Sequence, residues 1–395
     1  MKGGVCLPLD FVAGGIHCGI KTSDREDLAI VYSQRNSVAA ATFTTNQVKA
    51  APVKISMKHV RSRSVRAVVL NSGNANACTG KQGLDDALSM AKITAEALNL
   101  PTQQVLVCST GRIGVPMPME KIIPKLRRLA GTLTSQGGET VARAIMTSDT
   151  YAKEAARELF INGIRVRLGA AAKGAGMINP NMATMLCVIT TDATISSSVL
   201  HQALREAVAH SFNRITIDGD MSTNDTVIAL ANSASKCAPI RAGSAEYAMF
   251  LEALHSLCLE LARMIVLDGE GVSKFVEVEV RGAVNNIEAR YAAEAVANSI
   301  LLKCAWAGND PNWGRIMDAL GYSKANIQED QIDIFLNQLP MVTGGVAGPA
   351  SITSLRKAAA GKAFRIGIDL HLGQGRYAVL TTDLTEEYIR LNLGE

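Results

Sequence analysis

The chain has 395 residues, of which 48% are hydrophobic and 19% charged, and Gly (33) and Pro (11) are unremarkable in number. That composition excludes disorder, a collagen-like repeat and a coiled coil, and the length predicts two or three folding units. Forty basic against 36 acidic residues give a net charge of +4, and aromatics are 4%. Neither value suits a nucleic-acid surface or a single-strand stacking platform. The one basic run, Lys58, His59, Arg61, Arg63 and Arg66, reads as a solvated helix or turn face.

In chain order, short apolar runs predict strands over Leu28–Tyr32, Ala67–Leu70, Val105–Cys108, Thr184–Ile189, Phe275–Val280 and Ala378–Thr381. Ala-rich segments with apolar residues three and four apart predict amphipathic helices over 86–98, 137–159, 198–210, 247–266 and 286–299. The order is mixed, so layered helices and sheets are expected. No linker of Pro or Ser marks a boundary. No run reaches 18 apolar residues, and the N-terminus lacks the unbroken apolar core of a signal peptide, so a cytoplasmic protein without membrane partners is expected. The eight cysteines include no CxxC pair. Those within apolar runs, such as Cys108 and Cys187, read as buried hydrophobes of a reducing compartment.

Several reaction types find no motif. GxSxG, GxxxxGK[ST], a strand-linked GxGxxG and HExxH are all missing. Asp218, Asp220, Ser222 and Asn224 imitate the first ligands of a calcium loop, but Thr223 stands where the turn glycine belongs and Ala229 where the bidentate Glu belongs. A hydrogen-bonded turn is the better reading, and no metal is expected. Polar Gly-, Asn- and Thr-rich loops beside apolar runs are more numerous than turns require, and sites are built on such loops.

The segment Lys173-Gly-Ala-Gly-Met-Ile-Asn-Pro-Asn-Met-Ala-Thr184-Met-Leu-Cys-Val-Ile189 carries the argument. Glycines 174 and 176 permit close backbone approach, and Pro180 stiffens the loop. A Thr at the head of a buried strand then suits an N-terminal nucleophile made by cleavage of the Ala183–Thr184 bond. A Thr hydroxyl needs a base. Cleavage supplies one on the same residue, an α-amine whose ordinary pKa is about 7.7–8.0. An ordinary strand-starting Thr explains the segment about as well when it is taken alone.

Ordered blocks along the chain resolve that tie. The segment 173–186 resembles the autoproteolytic site of the ornithine acetyltransferases (glutamate N-acetyltransferases). Other blocks of the same family are matched by N-S-G-N-A-N-A-C-T-G (71–80), S-T-G-x-I-G (109–114), T-S-D-T (147–150), S-F-N-R-I-T-I-D-G-D-x-S-T-N-D (211–225), D-G-E-G (268–271) and D-P-N-W-G-R (310–315), in the family's order, so that the resemblance runs from Leu9 to about Asn392. The resemblance implies a mixed α/β fold, a four-layer helix/sheet/sheet/helix sandwich shared with DmpA-like aminopeptidases. It implies self-cleavage into an alpha chain, 1–183, and a beta chain, 184–395, interleaved in one catalytic body. Two copies of each would form a heterotetramer.

By position, the resemblance makes Thr184 the nucleophile and Thr110 and Gly111 the oxyanion hole. Thr147, Lys173, Glu270 and Asn392 become substrate-binding residues alongside Thr184. Lys173 can meet a carboxylate and Glu270 an ammonium group. The Asn/Asp-rich segments 71–76 and 218–225 read as scaffold around the site. The implied reaction is ping-pong acetyl transfer from N2-acetylornithine to glutamate without a cofactor, with acetyl-CoA as a further donor in some members. The chain departs from the family pattern in three places. After Asn392 it ends Leu-Gly-Glu, without the family's Tyr and final hydroxyl residue. Ser299-Ile-Leu-Leu-Lys303-Cys304-Ala replaces S-P-L-V-K-T-A, and Val272-Ser273 replaces Ala-Thr. The altered end keeps a second reading open, an amidase or aminopeptidase using the same nucleophile.

Overall fold

The computed structural model describes residues 3–179 and 185–393. The chain forms two compact units. The first comprises residues 1–174, 181–213 and 221–265, and the second 175–180, 214–220 and 266–395.

The first unit runs β1 (Phe11–Ile16), β2 (Leu28–Ser33), β3 (Val38–Phe43), α1 (Ala51–His59), β4 (Ala67–Asn74), α2 (Gly80–Ala97), β5 (Val105–Arg112), α3 (Met119–Ala130), α4 (Gly138–Ala144), β6 (Lys153–Ile161), β7 (Ile164–Lys173), β8 (Leu186–Thr191), α5 (Ser197–Ala209), β9 (Thr226–Ala231) and α6 (Ala245–Leu267). It contains a four-stranded sheet, β1-β2-β4-β5, and a five-stranded sheet, β3-β9-β8-β7-β6. Side chains from one face of each sheet share a core: Val31, Val68, Leu70 and Leu106 meet Ala41, Ala171, Val188 and Leu230. The other face of the first sheet, with Ile30, Val69 and Val107, is covered by Met90 of α2 and Ile122 and Leu126 of α3. Helix α5 packs on the five-stranded sheet at β3. The unit is therefore the four-layer sandwich that the family resemblance implies. Strands β8 and β9 are buried at every position. Their unbroken apolar runs, rather than an alternation, follow from having both faces covered.

The second unit runs β10 (Phe275–Ala283), α7 (Asn286–Asn298), α8 (Ile300–Ala307), α9 (Trp313–Gly321), β11 (Asp333–Leu336), β12 (Leu339–Thr343), β13 (Val346–Ala347), α10 (Ile352–Ala359), β14 (Ala363–Asp369), β15 (Gly375–Thr382) and α11 (Glu386–Leu391). Its sheet has the order β13-β12-β11-β14-β10-β15. Val276, Val278 and Val280 of β10 face a core with Ala292, Ala293 and Val296 of α7 and with Trp306, while Glu277 and Glu279 point the other way. That is the period of two read from the sequence. This unit and its sheet are additional to the four-layer expectation.

Most predicted elements lie where expected, with shifted ends. The strand predicted from Thr184 is described from Leu186. The helix predicted over 137–159 is a correction. A short α4 ends at Ala144, and 153–161 is the strand β6, paired antiparallel with β7. Alanines and glutamates in 152–158 imitate a helix, but Asn162 and Gly163 both take positive φ, 49° and 79°. They form the two-residue turn of a hairpin and bring Ile161 opposite Ile164. The Asn-Gly pair was the signal for this hairpin. Among the described residues, no helix is long and apolar enough to cross a membrane.

Candidate active site

Thr110 and Gly111, the expected oxyanion residues, sit at the end of β5. There the chain leaves a buried strand for an exposed loop: Thr110 is 5% exposed and Gly111 opens to solvent. Gly111 adopts φ +130°, and a Cβ there would lie 2.3 Å from the Gly73 carbonyl carbon and 2.5 Å from the Asn74 nitrogen. Only glycine permits that approach to β4. The register shifts at Gly73/Asn74, so β4 bulges where it passes Thr110 and Gly111. The Asn-rich end of β4 fixes the bulge. Asn71 Nδ2 donates to the Asn74 carbonyl (2.8 Å), and Asn74 Nδ2 donates to the carbonyls of Val115 and Pro116, 3.1 Å each. Ser109 Oγ donates to Asn71 Oδ1 at 2.6 Å. These bonds give the segment the scaffold role expected of it.

Lys173, the last residue of β7, is 3% exposed, and its Nζ donates to Thr110 Oγ1 at 3.4 Å. A cation donating to that oxygen occupies a lone pair and leaves the hydroxyl proton to point elsewhere, as an oxyanion donor must. Asp149 ties this group to Thr147. Its Oδ2 accepts from the Thr147 backbone N–H (2.9 Å), and its Oδ1 from Gly174 N–H (2.8 Å) and from Lys153 Nζ (2.7 Å). Burial alone would raise the Asp149 carboxyl, but Lys173 and Lys153 outweigh it and hold the group at about 2. It is therefore an anion at any physiological pH, compensating two buried lysines. Thr110, Gly111, Thr147 and Lys173 thus belong to one connected group in the first unit.

Glu270 and Asn392 come together in the second unit, with Asn392 Nδ2 donating to Glu270 Oε2 at 2.9 Å. The Glu270 N–H donates to the Ala175 carbonyl at 2.8 Å. Gly176 makes room for the carboxylate, since a Cβ there would sit 2.5 Å from Glu270 Cδ. Tyr388 lies alongside and donates its hydroxyl to Asp218 Oδ2 at 3.2 Å. Burial, then the Asp218 and Glu270 charges, push the Tyr388 phenol upward, so it stays a donor. Asp218 also accepts the N–H groups of Met177, Ile178 and Asp220. That is the hydrogen-bonded turn preferred above over a calcium loop. Thr184 and Ala183, the expected nucleophile and cleavage partner, lie outside the described residues.

Sequence reasoning passed over Asp149, Tyr388 and Lys303. Asp149 stood inside the T-S-D-T block, and its role shows only when Lys153 and Lys173 fold onto it. Lys303 is 2% exposed and donates to Thr381 Oγ1 (2.7 Å) and to the Thr382 carbonyl (2.8 Å).

A two-sheet sandwich that brings a hydroxyl, a glycine backbone amide and a buried lysine to one strand end is the kind of site acyl-transfer enzymes use. The chain belongs to the ArgJ family, which is matched over residues 12–394. The arginine biosynthesis bifunctional protein ArgJ of Geobacter sulfurreducens is 46% identical over 387 residues, 97% of this chain and 98% of the relative. That of Symbiobacterium thermophilum is 44% identical over 394 residues, 99% and 98% of the two chains. Among solved structures, an ornithine acetyltransferase from Mycobacterium tuberculosis complexed with ornithine is 36% identical with a TM-score of 0.40, covering 46% of this chain and 96% of that one.

Proposed function

We propose that this chain is a glutamate N-acetyltransferase of arginine biosynthesis that cleaves itself between Ala183 and Thr184. The freed Thr184 carries acetyl groups from N2-acetylornithine to glutamate. The observation that carries the reading is the placement of Thr110 and Gly111 at the end of β5, with Lys173 of β7 donating to Thr110, in a chain matched to the ArgJ family over nearly its whole length.

The first step is cleavage. Thr184 Oγ attacks the Ala183 carbonyl carbon, and the ester that forms is hydrolysed, leaving a carboxylate on Ala183 and an amine on Thr184. In turnover, that amine takes the hydroxyl proton as Oγ attacks the acetyl carbon of N2-acetylornithine. Negative charge gathers on the acetyl oxygen, where the Thr110 hydroxyl and the Gly111 N–H act as donors. Loss of one such donor typically costs about 10²–10³ in kcat. The tetrahedral species collapses by breaking the C–N bond. The ammonium of Thr184 returns its proton to the departing amine, and ornithine leaves. The amine of glutamate then attacks the acetyl-Thr184 ester, and the same steps in reverse release N-acetylglutamate and restore the hydroxyl. Lys173 and Glu270 supply opposite charges for a substrate bearing both a carboxylate and an ammonium group. Acetyl-CoA is a second candidate donor, consistent with the bifunctional names of the relatives. We read the assembly as two copies of each cleaved chain.

One assay set tests the reading. The purified protein should run as two bands on a denaturing gel, and Thr184→Ala as one. Incubation with N2-acetylornithine should yield N-acetylglutamate only when glutamate is added. Acetate released as fast without glutamate as with it would replace the transferase by an amidase, and a single band for the unaltered protein would remove the Thr184 mechanism. Repeating the assay with acetyl-CoA and glutamate decides the second donor.

A further inference from the structure

The end of β5 and the start of β8 lie in different sheets, so no strand ladder fixes their mutual position. Yet the proposed chemistry needs Thr110 and Gly111, at the first, aimed at whatever Thr184, one peptide bond before Met185, attacks. The segment entering β9 spans that gap. Asn224 Nδ2 donates to the Ser109 carbonyl at 2.8 Å and to the Ala75 carbonyl at 2.7 Å. Its Oδ1 accepts from Thr223 Oγ1 at 2.6 Å and its N–H donates to Ser222 Oγ at 3.0 Å. The next residue, Asp225, accepts the Met185 N–H on Oδ1 at 2.9 Å, and the Thr226 N–H donates to the Met185 carbonyl at 3.0 Å. Asn224 is 4% and Asp225 0% exposed. The peptide that precedes Thr110 and the peptide that follows Thr184 are thus held by adjacent residues, whose Cα atoms are about 3.8 Å apart.

We propose that Asn224 and Asp225 are positioning residues, a two-residue clamp that sets the spacing between the oxyanion donors and the nucleophile. The clamp rests on the roles given above to Thr110, Gly111 and Thr184. The anchored groups are backbone, so the clamp does not depend on the rotamers of Ser109 or Met185. Buried polar groups need partners in any protein, but a partner serving only stability would not couple to the rate of one chemical step. The second carboxylate oxygen of Asp225, Oδ2, is buried without a hydrogen-bond partner among the described residues. A role confined to holding Met185 therefore needs only one acceptor, which an asparagine also supplies.

Five variants of the full chain test this: Asn224→Leu, Asp225→Ala, Asp225→Asn, Thr110→Ala, and Asn224→Leu combined with Thr110→Ala. Each is scored for Tm, for the rate of conversion to two bands, and for kcat and KM with N2-acetylornithine and glutamate. Displacing reacting groups by about 1 Å can cost about 10²-fold. Asn224→Leu and Asp225→Ala should therefore lose about 10–100-fold in kcat with KM changed less than about threefold. Asp225→Asn should recover most of that loss. The Asn224→Leu effect should shrink when Thr110 is already alanine, because it acts through Thr110. Full kcat in folded Asn224→Leu or Asp225→Ala, a loss confined to KM, or additivity with Thr110→Ala overturns the clamp. So does an Asp225→Asn enzyme as slow as Asp225→Ala, which would give the carboxylate work beyond holding Met185. If Asn224→Leu does not fold, Asn224→Ser, whose one hydroxyl proton reaches only one of the two carbonyls, is held to the same criteria. An unaltered protein that cleaves but transfers no acetyl group refutes the proposed function alone, and the clamp is then scored on the cleavage rates.

Discussion

At the scale of single residues, Thr110 and Gly111 are neighbours whose proposed tasks are separable. Thr110 offers a side-chain hydroxyl, and its truncation removes one donor without touching the backbone. Thr110→Ala should keep a Tm within a few degrees of the parent while kcat falls about 10²–10³-fold. Gly111 offers its backbone, and any Cβ meets the Gly73 and Asn74 main chain at 2.3 and 2.5 Å. Gly111→Ala should therefore lose stability as well as rate. A folded, fully stable Gly111→Ala would contradict the described approach of β4 to β5. The identity of these two residues was legible, because a motif displays residue types. Asp149 was less so. An aspartate between Ser148 and Thr150 looks like a turn residue, and only the three-dimensional neighbourhood of Lys153 and Lys173 makes it the counter-ion of two buried cations. The position of Thr184, central to the sequence reading, lies outside the described residues, so its placement stays part of the proposal.

Between elements, α8 and β15 are joined by a buried lysine. Burial lowers Lys303 to about 7, against the opposing pull of the Asp218 and Asp383 carboxylates. Between about pH 7 and the unfolded value near 10.5, the unfolded chain binds a proton that the native chain lacks. Stability from this group is thus fully present above that unfolded value and declines as pH falls toward 7, by at most about 1.4 kcal/mol per pH unit. Lys303→Met should flatten the pH dependence of Tm between pH 7 and 10 relative to the parent. Parallel curves for the two proteins would show that Lys303 stays charged in the fold. Elements with one dominant signal were legible: α5, α6 and α7 by apolar spacing, β10 by strict alternation. β6 was not, because its alanines and glutamates score as helix while its pairing with β7 decides otherwise. Strand β3, Val-Ala-Ala-Ala-Thr-Phe, escaped notice for a similar reason, since alanine carries little strand preference and the strand exists by pairing with β9.

For the molecule as a whole, the length correctly implied more than one unit, but composition could not show where they divide. The second unit gathers 175–180 and 214–220 with 266–395, and the chain moves between units without any linker-like stretch. The four-layer architecture of the first unit was accessible through family resemblance, and the separate sheet of the second was not. The five-stranded sheet has a bearing on the proposed cleavage. In its order β3-β9-β8-β7-β6, three strands precede residue 184 and two follow it. Breaking the 183–184 bond leaves every ladder of that sheet intact, including β7 against β8. The two fragments should therefore co-elute in gel filtration under native conditions and part only in denaturant. Fragments that separate in buffer alone would mean that the strands do not interlock as described. The same sheet also sets a schedule for synthesis on the ribosome. Strand β3, at one edge, has β9 as its only ladder neighbour among the described residues, and Val38 pairs with Ala231. When Val38–Phe43 leaves the exit tunnel, its partner has yet to be translated, and it must wait with open hydrogen-bonding edges until Thr226–Ala231 emerges. A nascent chain stalled before that point exposes a strand ready to pair with the wrong molecule.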